Sequence, residues 1–146
     1  GCIMPQINKD IRIKSELTNV KGLSKEVLKA LDRFKLDHRT LSDVKLAIEE
    51  ALINAITHGN KSHPDAQVDF SYCIDSEKVS IIIKDQGEGF DYRKIPKAVR
   101  KKDISKTSGR GIFLITHVMD DVRFNKSGNQ ITMVKYLHPG NKTGGN

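Results

Sequence analysis

The sequence contains no tryptophan, and aromatic residues make up only 5% of its 146 residues. The aliphatic residues Ile, Val and Leu must therefore supply most of the core. No apolar run approaches the roughly 18 residues that a membrane-spanning helix requires. The length suits one domain with a hydrophobic core of its own. We therefore expect a single globular domain that makes no contact with a membrane.

Cysteine is also scarce, because only Cys2 and Cys73 occur, and two residues make no disulfide framework. Cys73 lies within a predicted strand, where we expect a small buried thiol. The first five residues have neither the basic leader nor the apolar stretch of a signal peptide. Together these features favour a cytoplasmic protein.

Positive charge is plentiful but unevenly placed, with a formal net charge of +7. The segment from Asp91 to Ser108 contains seven cations against two acidic residues; the cations are Arg93, Lys94, Lys97, Arg100, Lys101, Lys102 and Lys106. A basic cluster between two glycine motifs predicts a local anionic ligand. The segment is either a solvated loop or a mobile lid that closes over phosphates, and DNA binding is a further reading of the charge.

The spacing of apolar residues predicts the order of the elements. It indicates a weak strand over 11–17, helices over 24–35 and 41–59, a hairpin over 68–83, a helix over 111–119 and a hairpin over 122–137. Ser24 and Thr40 are expected to cap the first two helices, and Gly59-Asn60 to end the second in a left-handed conformation. This order predicts an α/β two-layer sandwich, with a mixed, mostly antiparallel sheet covered on one face by about three helices.

Three polar residues of the second predicted helix form a row, because Glu50, Asn54 and His58 are spaced four residues apart. Polar groups at the edge of an apolar stripe are costly unless they have partners. The oxygen of Asn54 is suited to ligate a hard cation. A solvated helix face is the alternative interpretation of the row.

Asp85 follows the second strand of the first hairpin and continues its inward alternation. A carboxylate aimed at the core must accept strong hydrogen bonds, and the exocyclic amine of a purine would donate one. Gly87 and Gly89 would let the backbone approach a flat ligand closely. A tight glycine turn with a capping Asp is the alternative.

The segment Ser108-Gly109-Arg110-Gly111 directly precedes the third predicted helix. Free backbone N–H groups and the helix dipole make such a junction a phosphate site, whereas a flexible linker is the alternative. The segment is not a Walker A loop, since the Gly-Lys-Ser/Thr ending is absent. It is not a Rossmann fingerprint either, because no strand–loop–helix unit carries it.

The order of these three segments resembles the N, G1 and G2 boxes of the GHKL superfamily, which gyrase, Hsp90, histidine kinases and MutL share. The stretches EEALINAITHGN (49–60) and GRGIFLITHVMDDV (109–122) are similar to the anti-sigma-factor serine-protein kinases of the RsbW and SpoIIAB type. The resemblance covers about 41–137. It implies a Bergerat-type ATPase domain over 9–138 that includes a mobile ATP lid. From the residues themselves we expect a flexible or cloning-derived segment at 1–8 and a disordered tail at 139–146, which is polar and rich in glycine.

The resemblance also implies ATP and Mg²⁺ as cofactors. Asn54 would ligate Mg²⁺, Asp85 would accept the adenine amine, and Glu50 would be the general base that takes a proton from a substrate serine. Gly87 and Gly89 would shape the adenine pocket. The residues at the phosphates would be Lys106, Ser108, Gly109, Arg110 and Gly111.

Members of this family phosphorylate a small antagonist protein and alternately sequester a sigma factor, usually as homodimers and without direct nucleic-acid binding. The sequence departs from the family at Ser24-Lys25, where an Arg is usual, and at Gln130, where a Thr is usual. A serine-protein kinase of a partner-switching system is therefore the leading hypothesis. The alternative is an ATP-binding switch domain of a larger signalling protein, which sequesters a partner without kinase activity.

Overall fold

The computed structural model describes residues 6–63, 65–88 and 107–137. Its regular elements, in chain order, are β1 (Ile7–Lys14), α1 (Val20–Leu31), α2 (His38–Asn54), β2 (Gln67–Ile74), β3 (Lys78–Lys84), α3 (Thr107–Val118), β4 (Asp121–Phe124) and β5 (Gln130–Tyr136). Short 3-10 turns at Leu17–Asn19 and Asp32–Phe34 flank α1, and a π-helical turn at Ala55–Gly59 follows α2.

The five strands form one sheet in the order β1-β2-β3-β5-β4. Every pairing between described strands is antiparallel. The three helices cover one face of this sheet, so the predicted two-layer sandwich is confirmed. None of the described helices is long and apolar enough to span a membrane.

The core lies between the helices and the sheet. Alternate residues of the strands point into it from the sheet side. The buried positions of β2 and β3 are Val68, Phe70, Tyr72, Ile74, Val79, Ile81 and Ile83. The predicted hairpin is thus confirmed, and Asp75 accepts hydrogen bonds from the N–H groups of Glu77 and Lys78 in its turn. From above, α2 contributes a fully buried stripe of Val44, Ile48 and Leu52.

The start of α1 differs from the prediction. The helix begins at Val20, and Ser24 lies within it, fully buried, instead of capping its start. The hydroxyl of Ser24 donates to Glu49 Oε2 on α2 at 2.7 Å. The predicted cap is wrong because Val20 and Leu23 pack into the core and extend the helix in the N-terminal direction.

The start of α2 also differs. Asp37 is its N-cap, and the Asp37 carboxylate accepts a hydrogen bond from the N–H of Thr40 at 2.9 Å. Thr40 was therefore the wrong cap, since an aspartate three residues earlier satisfies the free N–H groups of the first turn.

The end of this helical segment is a π-helical turn instead of a left-handed cap. Asn60 has φ −87°, and the positive φ values fall one residue later, at Lys61 and Ser62. The N–H of Asn60 donates to Ala55 O at 2.7 Å and closes the wide turn. Such single π turns are frequent at functional sites.

The N-terminal part shows two further differences. β1 begins at Ile7, inside the segment that we expected to be flexible, and Leu17 lies in a 3-10 turn with 55% of its surface exposed. Cys73 is disulfide-bonded, so the expectation of a free thiol is wrong. Residues 91–106 of the predicted lid segment, which was expected over 91–108, and the predicted tail at 139–146 lie outside the described residues.

Lys135 ties the sheet to two helices. Its ammonium donates to Asp43 Oδ2 on α2 at 3.1 Å and to Val118 O at the end of α3 at 2.7 Å. Both charged side chains are about 15% exposed. Because a cation at the last carbonyls of a helix is favourable, this contact fixes the direction in which α3 crosses α2.

Candidate functional site

A cavity of about 300 Å³ opens between the end of α2, the π-helical turn, the end of β3, α3 and the turn between β4 and β5. Its apolar lining consists of Ala51, Ala55, Ile83, Ile112, Phe124 and Ile131. The polar side chains that line it are Asn54, His58, Asp85, Asn129 and Gln130. An apolar cleft with a few convergent polar groups has the general character of a small-molecule site.

Asn54 and Gly111 meet where α2 packs against α3. A β-carbon on Gly111 would lie 2.7 Å from Asn54 Nδ2 and 3.1 Å from Asn54 Oδ1. Only glycine permits this approach without a shift of the amide. Two of the three segments singled out in the sequence are therefore in direct contact.

The helix that carries Gly111 begins earlier than predicted. α3 starts at Thr107, so Ser108, Gly109 and Arg110 belong to its first turn and do not precede the helix. Glycine lowers helix propensity by only about 1 kcal/mol, which packing against α2 can offset. The side chains of 107–110, together with Gly89 and Lys106, lie outside the described residues.

Asp85 belongs to the remaining one of the three segments singled out in the sequence. Its side chain points inward as predicted, with 9% of the residue exposed. The N–H of Gly87 donates to Asp85 Oδ1 at 2.8 Å. A β-carbon on Gly59 would overlap the Asp85 carboxylate, and one on Gly87 would overlap the Gly59 carbonyl. The two glycines thus hold the carboxylate in a close-fitting recess.

The electrostatics of Asp85 follow from this recess. Burial raises the pKa of Asp85 above its ordinary value, and the Gly87 hydrogen bond offsets only part of that effect. An ionised carboxylate with a single described donor has lone pairs available for a second one. The site therefore suits a ligand that brings an N–H group.

Glu50 lies one helical turn before Asn54 on α2 and is half-buried, outside the lining of the cavity. It makes no hydrogen bond or ion pair in the described part of the chain. Its neighbour Glu49 is engaged, because Ser24 donates to it and Lys45 Nζ lies 3.5 Å away. Of these two adjacent carboxylates, Glu50 alone is available to an incoming group.

The oxygen ligands at the cavity bear on whether it can hold a divalent cation. Mg²⁺ in nucleotide sites is commonly held by one or two protein oxygens together with phosphates and water. Asn54 Oδ1 fits as a single protein ligand, since its amide borders the cavity at the N-terminal part of α3. Within the described ranges no group of three or more His, Cys, Asp or Glu side chains is placed to hold a metal ion.

Comparison with known proteins agrees with this arrangement. The histidine kinase-like ATPase domain matches residues 13–135 of the chain. The chain belongs to this family. The match includes every residue that the sequence singled out for the site, from Glu50 to Gly111.

Several relatives of this histidine kinase-like ATPase domain carry the name serine-protein kinase RsbW. The protein from Oceanobacillus iheyensis is 31% identical over 113 residues, which cover 73% of this chain and 72% of the relative. The protein from Staphylococcus epidermidis is 32% identical over 105 residues, 66% of each chain. The protein from Listeria monocytogenes serovar 1/2a is 27% identical over 113 residues, with coverage of 73% and 72%. The chain thus spans about two thirds to three quarters of these relatives.

Two further residues lie at this cavity that the sequence analysis did not assign to the site. Gly59 was interpreted as a helix cap, whereas it contacts the Asp85 carboxylate. Asn129 belongs to the turn of the predicted hairpin over 122–137, whereas in the structure it also lines the cavity. The alternation of β5, continued two residues back from Ile131, would have indicated Asn129.

Proposed function

We propose that this domain is an ATP- and Mg²⁺-dependent protein-serine kinase and anti-sigma-type regulator, which phosphorylates an antagonist protein in a partner-switching system. The observation that carries the proposal is the meeting of Asn54, Asp85 and the first turns of α3 around one cavity. The names of the relatives support the same activity.

At the base end of the cavity, Asp85 would accept a hydrogen bond from the 6-amino group of adenine. The Asp85 recess leaves the carboxylate facing the cavity, and Ile83, Phe124 and Ile131 supply apolar walls for the purine ring. Gly87 would shape this pocket from behind the carboxylate, and Gly89 would extend it. A flat aromatic base between apolar side chains with one polar anchor is a common mode of recognition.

At the phosphate end, Asn54 Oδ1 would ligate Mg²⁺, which supplies charge neutralisation at the phosphates. The N-terminal turn of α3 would face the phosphates with the free backbone N–H groups of its first residues, including Gly109, and with the positive end of the helix dipole, and Arg110 and Gly111 would lie beside the phosphates. Ser108 and Lys106 would add further contacts. Positioning and charge stabilisation are the main requirements of phosphoryl transfer.

Glu50 would act as general base on the serine hydroxyl of the protein substrate. Its carboxylate has no described partner and lies one turn from Asn54, so it can face a hydroxyl that approaches the phosphates. General-base catalysis contributes a factor of about 100 to 10,000 in rate.

The test is transfer of labelled γ-phosphate from ATP to a candidate antagonist protein encoded in the same genome. Glu50→Gln should bind ATP normally and transfer phosphate about 100- to 10,000-fold more slowly. Glu49→Gln is the matched control, since Glu49 is held by Ser24 and Lys45, and it should retain transfer. An equal rate of phosphate transfer by Glu50→Gln and by the native protein would contradict the proposed role of Glu50 as general base.

A second function has one observation in its favour. At Ser24-Lys25, where the resemblance leads us to expect an Arg, Ser24 is fully buried and bonded to Glu49, so that only the exposed Lys25 is available to a partner. An ATP-binding switch that sequesters a partner without phosphorylating it fits this difference. Calorimetry that shows tight ATP binding, together with no transfer to any candidate antagonist, would favour this second function.

The proposal includes an antagonist protein and a sigma factor as partners, a homodimeric state and a cytoplasmic location, where ATP is available. Affinity capture of partners with and without Mg-ATP tests the first of these. Light scattering across a concentration series tests the second, and a monomer at every concentration would rule out the homodimer.

A further inference from the structure

The turn between β4 and β5 is organised by one side chain. Asn125 Oδ1 accepts hydrogen bonds from the backbone N–H groups of Gly128, Asn129 and Gln130 at 2.8, 3.0 and 3.1 Å. Three donors on this oxygen fix the amide orientation of Asn125. Its Nδ2 is then directed at Asn129 Oδ1, to which it donates at 2.7 Å.

The orientation of Asn129 follows from that of Asn125. Asn129 Oδ1 accepts from Asn125 Nδ2 and from the Ser127 hydroxyl, the latter at 3.0 Å. Asn129 Nδ2 must therefore face the other way, where it donates to Asp85 O and Gly87 O, both at 3.4 Å. The backbone adds a shorter bond from Asp85 N to Asn129 O at 2.9 Å.

A third asparagine holds the opposite side of the Asp85–Gly87 turn. Asn60 is buried, and its Oδ1 accepts from the N–H of Gln86 at 2.7 Å. Its Nδ2 donates to Ser15 Oγ and Gln67 O, each at 3.0 Å. Because Asn60 also joins β1 to β2 in this way, it belongs to the framework of the fold.

We propose that Asn125 and Asn129, the asparagine brace, are positioning residues that hold the Asp85 carboxylate at the depth where it meets the purine 6-amino group. The proposal rests on the proposed function, in which the Asp85 carboxylate accepts a hydrogen bond from that 6-amino group. The brace acts on the Asp85–Gly87 backbone from the turn side, while Gly59 leaves the carboxylate no room to shift toward α2. Loss of the brace removes the side-chain contacts on that flank and leaves it held only by the backbone bond between Asp85 N and Asn129 O.

The mechanism predicts a selective effect. A hydrogen bond to a charged group depends on donor–acceptor distance and angle, so a small displacement of Asp85 weakens the contact with the amine. A purine that lacks the 6-amino group makes no such contact. Its affinity depends on the apolar walls and the phosphate end, and displacement of the turn should leave it nearly unchanged.

The test compares the dissociation constants of ATP and of purine riboside triphosphate, which lacks the amine, by calorimetry. In the native protein we expect ATP to bind at least about tenfold more tightly. In Asn129→Ala this ratio should fall by about three- to tenfold, while binding of the analogue changes less than about twofold. Ser127→Ala is the matched control, because Asn129 Oδ1 keeps its contact with Asn125.

Asn125→Asp provides a second variant in case Asn129→Ala is unstable. Aspartate keeps the acceptor for the three backbone N–H groups but cannot donate to Asn129, so the turn should persist while the ratio falls. An unchanged ratio in either folded variant, or an equal loss for both nucleotides, would overturn the brace. A native protein that binds both nucleotides equally would instead refute the reading of the amine by Asp85, and with it the proposed function of that residue.

Discussion

Gly111 on α3 lies so close to Asn54 on α2 that an added β-carbon would stand 2.7 Å from the Asn54 amide nitrogen. Real β-carbons essentially never approach another atom this closely, so a side chain at position 111 would require the Asn54 amide to shift. The contact brings the predicted cation ligand to the N-terminal part of α3, where phosphates bind favourably.

Gly111→Ala should therefore displace the Asn54 amide and weaken Mg-ATP binding by about tenfold or more, with a smaller effect on ATP in chelator. Titration calorimetry with and without Mg²⁺ measures both values. Gly22→Ala is the control, because no atom lies within 4 Å of a β-carbon at that exposed position of α1. It should leave binding unchanged and stabilise the fold by about 0.5–1 kcal/mol. Equal Mg-ATP affinity in Gly111→Ala would contradict the role of the contact.

Asp85, the proposed adenine contact, should lower the stability of the unliganded domain. Because burial raises its pKa in the folded state, the folded protein retains the proton to higher pH than the unfolded chain does. The free energy of unfolding should thus fall as pH rises from the ordinary Asp pKa of about 3.9 through the raised folded value. Asp85→Asn should be more stable than the native protein at neutral pH, and the difference should vanish in acid. Urea unfolding across this range measures it; an Asn variant that is less stable at pH 7 would refute the argument.

Lys135→Met should destabilise the domain by about 3 kcal/mol, because it leaves the largely buried Asp43 carboxylate without its nearest cation and Val118 O without the Lys135 donor. Lys45→Met removes an exposed pair with Glu49 and should cost less than about 1 kcal/mol. Urea denaturation compares the two. Similar values for both variants would show that the Lys135 contacts contribute no more than a surface pair.

Alkaline titration should single out Tyr72. Burial, together with the hydrogen bond to Glu26 at 2.9 Å, raises its pKa from 10.0 to about 12. The stability due to this neutral phenol is complete below pH 10 and should be lost as pH rises toward 12. The phenolate absorbance that Tyr72→Phe removes should therefore appear only near pH 12. Its appearance near pH 10, in protein that circular dichroism shows to be folded, would be the contrary result.

The strands and the inward Asp85 could be predicted because a period of two is a local property of the chain. Val79, Ile81 and Ile83 set the alternation, and it persists beyond the end of β3 to Asp85. The same rule applied to β5 points to Asn129. That position was missed because Ser127-Gly128-Asn129 is also typical of a turn. In the structure Asn129 both belongs to the turn and lines the cavity.

The ends of the helices were harder to predict than the strands, because more than one nearby residue is a suitable helix cap. Asp37 and Thr40 are both suitable caps by local chemistry, and the packing of α2 selects the earlier one. Ser24 bonds to Glu49, a partner on another helix that its own segment does not reveal. The contact between Gly59 and Asp85 likewise joins residues that are distant in the chain.

The pairing of Asp85 with Asn129 continues the register of β3 and β5, in which Lys84 lies opposite Gln130. A slip of one residue would turn every side chain of β5 to the other face of the sheet, Asn129 among them. Surface turns usually tolerate insertions during evolution, but the length of the turn between β4 and β5 sets the pairing of Asp85 with Asn129 beside the proposed nucleotide site. Natural length variation should instead collect at the opposite end of the sheet, in the turn between Asp75 and Lys78, where an added residue leaves the cavity intact.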